Sequence, residues 1–150
     1  MFEIQQQFRS HIHSHSELTG FTIPELLEDY LVVLLSSRLR ETEIIPEPSF
    51  GERYMQLQEL NRASLYQEYA DQCLFFVSLL PEYGKKRGLD INYYASLGIS
   101  SYYSVGDAVS DERFIQLGNW FYHLQKFLNS AIHPRTRLEL FDLMDKDKYL

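Results

Sequence analysis

The chain has one cysteine, seven glycines and five prolines in 150 residues, and its first 75 residues contain no lysine. The lone thiol, Cys73, excludes an intramolecular disulfide and a cysteine-based zinc site, which points to a reducing compartment. The longest uninterrupted apolar runs, Leu31 to Leu35 and Cys73 to Val77, fall far short of the roughly 18–20 residues that cross a bilayer. The N-terminal stretch Met1-Phe2-Glu3-Ile4-Gln5-Gln6-Gln7 has neither the basic residues nor the apolar segment of a secretory signal, so a cytoplasmic chain without membrane association is expected. Also missing are the phosphate-cradling Gly-x-x-x-x-Gly-Lys-Ser/Thr, Gly-x-Gly-x-x-Gly, Gly-x-Ser-x-Gly and His-Glu-x-x-His. No Glu precedes a His by three, which removes the Glu-x-x-His pair of helical di-iron bundles. On these grounds an enzyme is not the favoured reading, and no cofactor is expected.

The composition that remains is that of a globular domain: 45% hydrophobic, 15% aromatic and 23% charged residues, in a chain long enough to bury a core alone. The net charge of −7 is unevenly spread. Residues 1 to 75 carry five arginines (9, 38, 40, 53 and 62) and twelve acids, whereas the second half carries nine bases and nine acids. Phosphate binding needs a basic face, which argues against nucleic acid as the partner of the first half. A basic or neutral protein is easier to accommodate there.

The prolines (24, 46, 48, 81 and 134) and most glycines fall between apolar periodic segments, which implies helices. Residues 2 to 16 read as a modest amphipathic helix, loosely docked, with Ile4, Phe8 and Ile12 on one face. Thr22-Ile23-Pro24-Glu25 is a capping box opening a helix to about Glu43, whose segment Tyr30 to Leu35 is apolar all round and therefore central. Ser49 to Glu52 and Ser64 to Gln67 look like two more helix starts. The fading phase between the stripes of Tyr54, Leu57, Leu60 and of Tyr66, Tyr69, Cys73, Val77 favours two helices over one across 50–80. Pro81 to Gly88 reads as a turn-rich connector. Asp90 caps a helix from Ile91 to about Val105 that Gly106 ends, and Ser110-Asp111-Glu112 opens a regular helix to Ile132. Pro134 begins a final helix, and the tail 145–150 should fray. No segment alternates as a strand does, so the expectation is an all-α, single-domain bundle of six or seven helices.

Four groups of residues could carry chemistry. His11 and His15 share a helical face at i, i+4 and could hold a divalent metal adventitiously, with His13 pointing elsewhere. Lys85, Lys86 and Arg87, between Gly84 and Gly88, form the only basic cluster and could cradle an anion, although a solvated loop following a helix end is the favoured explanation of so short a run. Tyr94, Gly98 and Tyr102 fall at i, i+4, i+8, so Gly98 would admit a helix or a ligand between two phenols. Asp71, Glu68 or His123 are candidate partners for the phenol hydroxyls, and Asp71, Tyr94, Gly98, Tyr102 and His123 together form the candidate ligand-binding set. Cys73 reads as a small core residue.

The run Asp71-Gln72-Cys73-Leu74-Phe75-Phe76-Val77-Ser78-Leu79-Leu80-Pro81-Glu82, followed by Asp90-Ile91-Asn92-Tyr93-Tyr94, Gly98 and Tyr102, resembles the signature region of a family of uncharacterised bacterial proteins. Those proteins carry an Asp, a Leu-Phe-Val-Ser run, a Pro-Glu and a later Tyr-Tyr-x-x-x-Gly. The match spans about a fifth of the chain, and Leu79 stands where the family has a glycine. The resemblance implies a helical fold and a bacterial cytoplasmic origin, and it implies no activity, cofactor or catalytic residue. Taken together, the sequence favours a non-catalytic helical protein that binds another protein or itself, since aromatics are preferred interface anchors. The alternative is a small-molecule-binding protein or enzyme with a tyrosine-lined pocket between helices.

Overall fold

The computed structural model describes residues 2–38, 54–56, 58, 62–86 and 88–132, and among these the regular structure is entirely helical. The helices are α1 (Phe2–Thr19), α2 (Glu25–Arg38), α3 (Ala63–Leu79), α4 (Pro81–Lys86), α5 (Ile91–Val109) and α6 (Glu112–Ala131). Residues 54–56 and 58 are helical as well. One apolar cluster runs through α1, α2, α3, α5 and α6, so the expected all-α single-domain bundle is the fold. No helix among the described residues is long and apolar enough to cross a membrane.

α3 sits at the centre because its sequence leaves it no wet side. From Tyr69 to Leu79 every residue is buried, including Leu74, Phe75 and Phe76 with no exposed surface. Each such side chain contributes about 1.5–3 kcal/mol relative to exposure. A helix apolar all round needs neighbours all round. α5 supplies most of them, α6 packs beside α5, and the α1–α2 pair closes the remaining side. Asn129 of α6 donates its amide to the Ser78 carbonyl at 2.9 Å, satisfying an orphan acceptor in the last turn of α3.

α1 docks through Phe8 and Ile12, as its apolar spacing predicts, and runs to Thr19 rather than residue 16. Its polar flank meets α2 at the side chain of Glu28. Arg9 Nη1 lies 3.4 Å and His13 Nε2 lies 2.5 Å from Glu28 Oε1, and Arg9 also reaches Asp29 at 2.9 Å.

Several helix boundaries differ from the sequence expectations. Arg62 is extended, so the helical residues before it are separate from α3, but it caps α3 with no side-chain bond. Ser64 therefore lies inside the first turn of α3 rather than opening it. Pro81 to Lys86 is a short helix, not a connector of turns: Pro81 suits a first helical position, and Lys85 and Lys86 suit a last turn. Gly106 does not end α5, which continues to Val109. An added Cβ at Gly106 would collide with the Ile115 side chain, so this glycine serves helix packing and not termination. Termination falls to Ser110, whose φ of 53° is left-handed and whose N–H donates to the Gly106 carbonyl. The expected helix start at Ser49, the final helix from Pro134 and the tail 145–150 lie outside the described residues.

Candidate functional site

Two features of the bundle concentrate polar and aromatic chemistry: a buried seam between α3 and α5, and the outer face that α5 forms with α6.

The seam is built around Asp71. α3 places this carboxylate in the core, where it must be hydrogen-bonded to be tolerated. Its Oδ1 accepts from the Tyr102 hydroxyl at 2.7 Å and from the Tyr30 hydroxyl at 2.6 Å, and Gln67 Nε2 donates to the Tyr30 oxygen at 3.2 Å. Tyr102 has no exposed surface. Burial, then the charge of Asp71, pushes the Tyr102 phenol well up from its ordinary value, and the same causes raise Tyr30. Burial, reinforced by Asp71, likewise raises the Cys73 thiol, so it stays protonated and inert. Gly98 marks a close approach of the two helices: an added Cβ would lie 2.9 Å from Cys73 Cβ and 2.8 Å from Phe121 Cε2. The space that glycine frees is thus taken by protein.

Of the five residues expected to form one ligand site, Asp71, Tyr94, Gly98 and Tyr102 do share this seam. Tyr94 meets Phe76 edge to face at 5.8 Å, and its phenol is raised by burial and by neighbouring Cys73. His123 is elsewhere. It is exposed on α6, stacked on Phe21 at 6.0 Å and edge-on to Trp120 at 5.8 Å. The member the sequence reading omitted is Tyr30, hidden there inside an apolar stretch of α2. The Arg113 guanidinium stands over its ring at 5.4 Å and over Phe114 at 5.0 Å, a cation–π arrangement that closes the seam's outer end.

The histidines do not converge. His11 is exposed, His13 pairs with Glu28, and His15 meets Phe127 edge-on at 4.9 Å. Among the described residues no group of three His, Cys, Asp or Glu side chains could hold a metal ion.

The basic cluster also separates. Lys85 lines an open groove of about 580 Å³ with Val77, Ile91, Asn92, Lys126 and Asn129, whereas Lys86 is not part of its wall and Arg87 lies outside the described residues. The Asp90 carboxylate beside the groove is occupied in accepting the Asn92 and Tyr93 N–H groups at the start of α5. The cation that joins Lys85 therefore comes from α6, 41 positions along the chain.

The outer face of α5 and α6 differs from the rest of the surface in what it lacks. α5 contains one charged residue, Asp107, in nineteen. Its solvent side carries Asn92, Ser96, Ser100 and Tyr103 at helical spacing, flanked by Ile99. The hydroxyls of Ser96 and Ser104 turn back to carbonyls one turn earlier, at 3.0 Å each, which leaves little polarity for solvent. The two helices run antiparallel, with Gly106 against Ile115 at one end and Asn92 beside Lys126 at the other. The Tyr103 hydroxyl donates to Asn119 Oδ1 at 2.6 Å, joining them into one surface. The α6 stripe across it reads Ile115, Asn119, Tyr122 and Lys126, and Tyr122 is 50% exposed.

No family model matches this chain, and comparison with curated proteins and with solved structures gives no match.

Proposed function

We propose that the protein is a non-catalytic, soluble cytoplasmic binding module whose partner is a protein docked on the outer face of α5 and α6. The observation that carries this reading is the composition of that face: tyrosine, serine, asparagine and isoleucine, with charge confined to its two ends. Protein interfaces are distinguished by depletion of charge at the core of the patch and enrichment of aromatics, above all tyrosine, which buries a large rigid area at small entropic cost. The half-exposed Tyr122, two turns of helix from Ile115, supplies an anchor of that kind. The seam around Asp71 supports the same reading indirectly. Its phenols are held protonated and its glycine approach is filled by Phe121 and Cys73, an arrangement suited to rigidity. A nucleic-acid partner is disfavoured because the middle of the face carries no basic residue, Lys126 standing at one end of it.

Site-specific photo-cross-linking in the parent cell tests the proposal. A benzophenone side chain introduced at Tyr122 should give a covalent protein adduct that disappears when Ser100→Arg is also present, and the same group at exposed Leu26 on α2 should not. No adduct from position 122, or equal adducts from both positions, would contradict it.

A further inference from the structure

We infer that the open groove between α4, the start of α5 and the end of α6 binds a short peptide, two or three residues long with both termini free. The groove adjoins the end of the α5–α6 face at Asn92 and Lys126, but it needs no protein on that face. Its volume of about 580 Å³ lies inside the range of small-molecule sites.

The charges of the groove are balanced and do not pair with one another. Lys85 on α4 and Lys126 on α6 supply two cations, and Glu82 and Asp90 supply two anions. Neither lysine makes an ion pair with a described residue, although both share the groove with carboxylates. Asp90 accepts the Asn92 and Tyr93 N–H groups on Oδ1 alone, and its Oδ2 takes no bond from a described residue. A groove that holds cations and a carboxylate without joining them suits a ligand that joins them itself. A simple anion or cation would meet a like charge there, whereas a zwitterion can offer a carboxylate to the lysines and an ammonium to Asp90.

The rest of the wall narrows the kind of zwitterion. Val77, Leu89 and Ile91 are buried or half-buried and offer an apolar surface to a side chain. The carboxamides of Asn92 and Gln125 also line the groove, and neither bonds to a described residue. Each presents both a donor and an acceptor, which is what a peptide group requires. A single amino acid has no peptide group to use them and would leave most of the volume unfilled.

NMR titration of the full chain with the tripeptide Ala-Leu-Ala tests this on the methyl signals of Val77, Leu89 and Ile91. Saturable shifts are expected, with a dissociation constant of about 0.1–1 mM for a ligand of this size. Acetylating the amine or amidating the carboxylate should each weaken binding about fivefold. Lys85→Met with Lys126→Met should erase the preference for the free carboxylate. Glu82→Gln with Asp90→Asn, which keeps a capping side chain on α5, should erase the preference for the free amine. Far-UV dichroism checks that each variant is folded. No saturable shift up to about 10 mM tripeptide overturns the inference. Equal affinity for the free and capped tripeptides, or preferences that survive the substitutions, overturn it as well.

Discussion

The hydroxyls of Tyr102 and Tyr30 donate to one and the same oxygen of Asp71, at 2.7 and 2.6 Å. Three helices, α2, α3 and α5, thereby meet at a single acceptor atom. A buried carboxylate serves a buried and a half-buried phenol better than a neutral group would, because charge-assisted hydrogen bonds are about twice as strong.

Removing the acceptor should therefore cost more than removing either donor. Asp71→Ala leaves the fully buried Tyr102 hydroxyl unpaired and should destabilise the fold by about 2–3 kcal/mol, against about 1 kcal/mol for Tyr102→Phe. Urea denaturation of the two variants beside the unaltered chain measures both. Equal losses would show that Asp71 is not the hub.

Stability should also fall at alkaline pH. Tyr102 and Tyr30 have folded-state values raised above the 10.0 of a free phenol. Above about pH 10 the unfolded chain gives up phenolic protons that the folded chain retains, so the contribution present below that value is lost as pH rises. The urea midpoint should stay level to about pH 9 and then decline, and Tyr102→Phe should decline less. In the folded protein these two phenols should give no tyrosinate absorbance before unfolding.

Gly98→Ala sets two effects against each other. Alanine improves helix propensity by about 1 kcal/mol, but its methyl would sit 2.8 Å from Phe121 and 2.9 Å from Cys73, both wholly buried. Overpacking should win, with a net loss of about 1–2 kcal/mol in thermal or urea unfolding.

Ser110→Gly should do the reverse. The left-handed backbone at the end of α5 costs a residue with a Cβ about 1–2 kcal/mol, part of which glycine returns as unfolded-state entropy. A net gain of about 0.5–1 kcal/mol is expected from thermal unfolding.

Much of the bundle was legible in the sequence because its signals are local. The apolar stripe from Tyr66 to Leu80, the Asp90 and Asp111 caps and the stripe from Phe114 to Ile132 each depend on residues within a turn or two. What failed was local evidence with a tertiary cause. Gly106 reads as a helix end, yet it is glycine because Ile115 presses on it. Tyr30 reads as one apolar residue among several, and only the packing of α2 on α3 brings its hydroxyl to Asp71. His123 was joined to that set by residue type alone, with no spacing to support it, and it lies with Phe21 and Trp120. The uncharged face of α5 and α6 was visible as composition but not as a surface, since nothing along the chain shows that Tyr103 and Asn119 are neighbours.

That face is the centre of the functional account, and photo-cross-linking from it in the parent cell tests it most directly. A benzophenone at Tyr122 should capture a protein, while the same group at exposed Leu26 on α2 should capture none. No adduct from position 122, or equal adducts from both positions, would contradict the account.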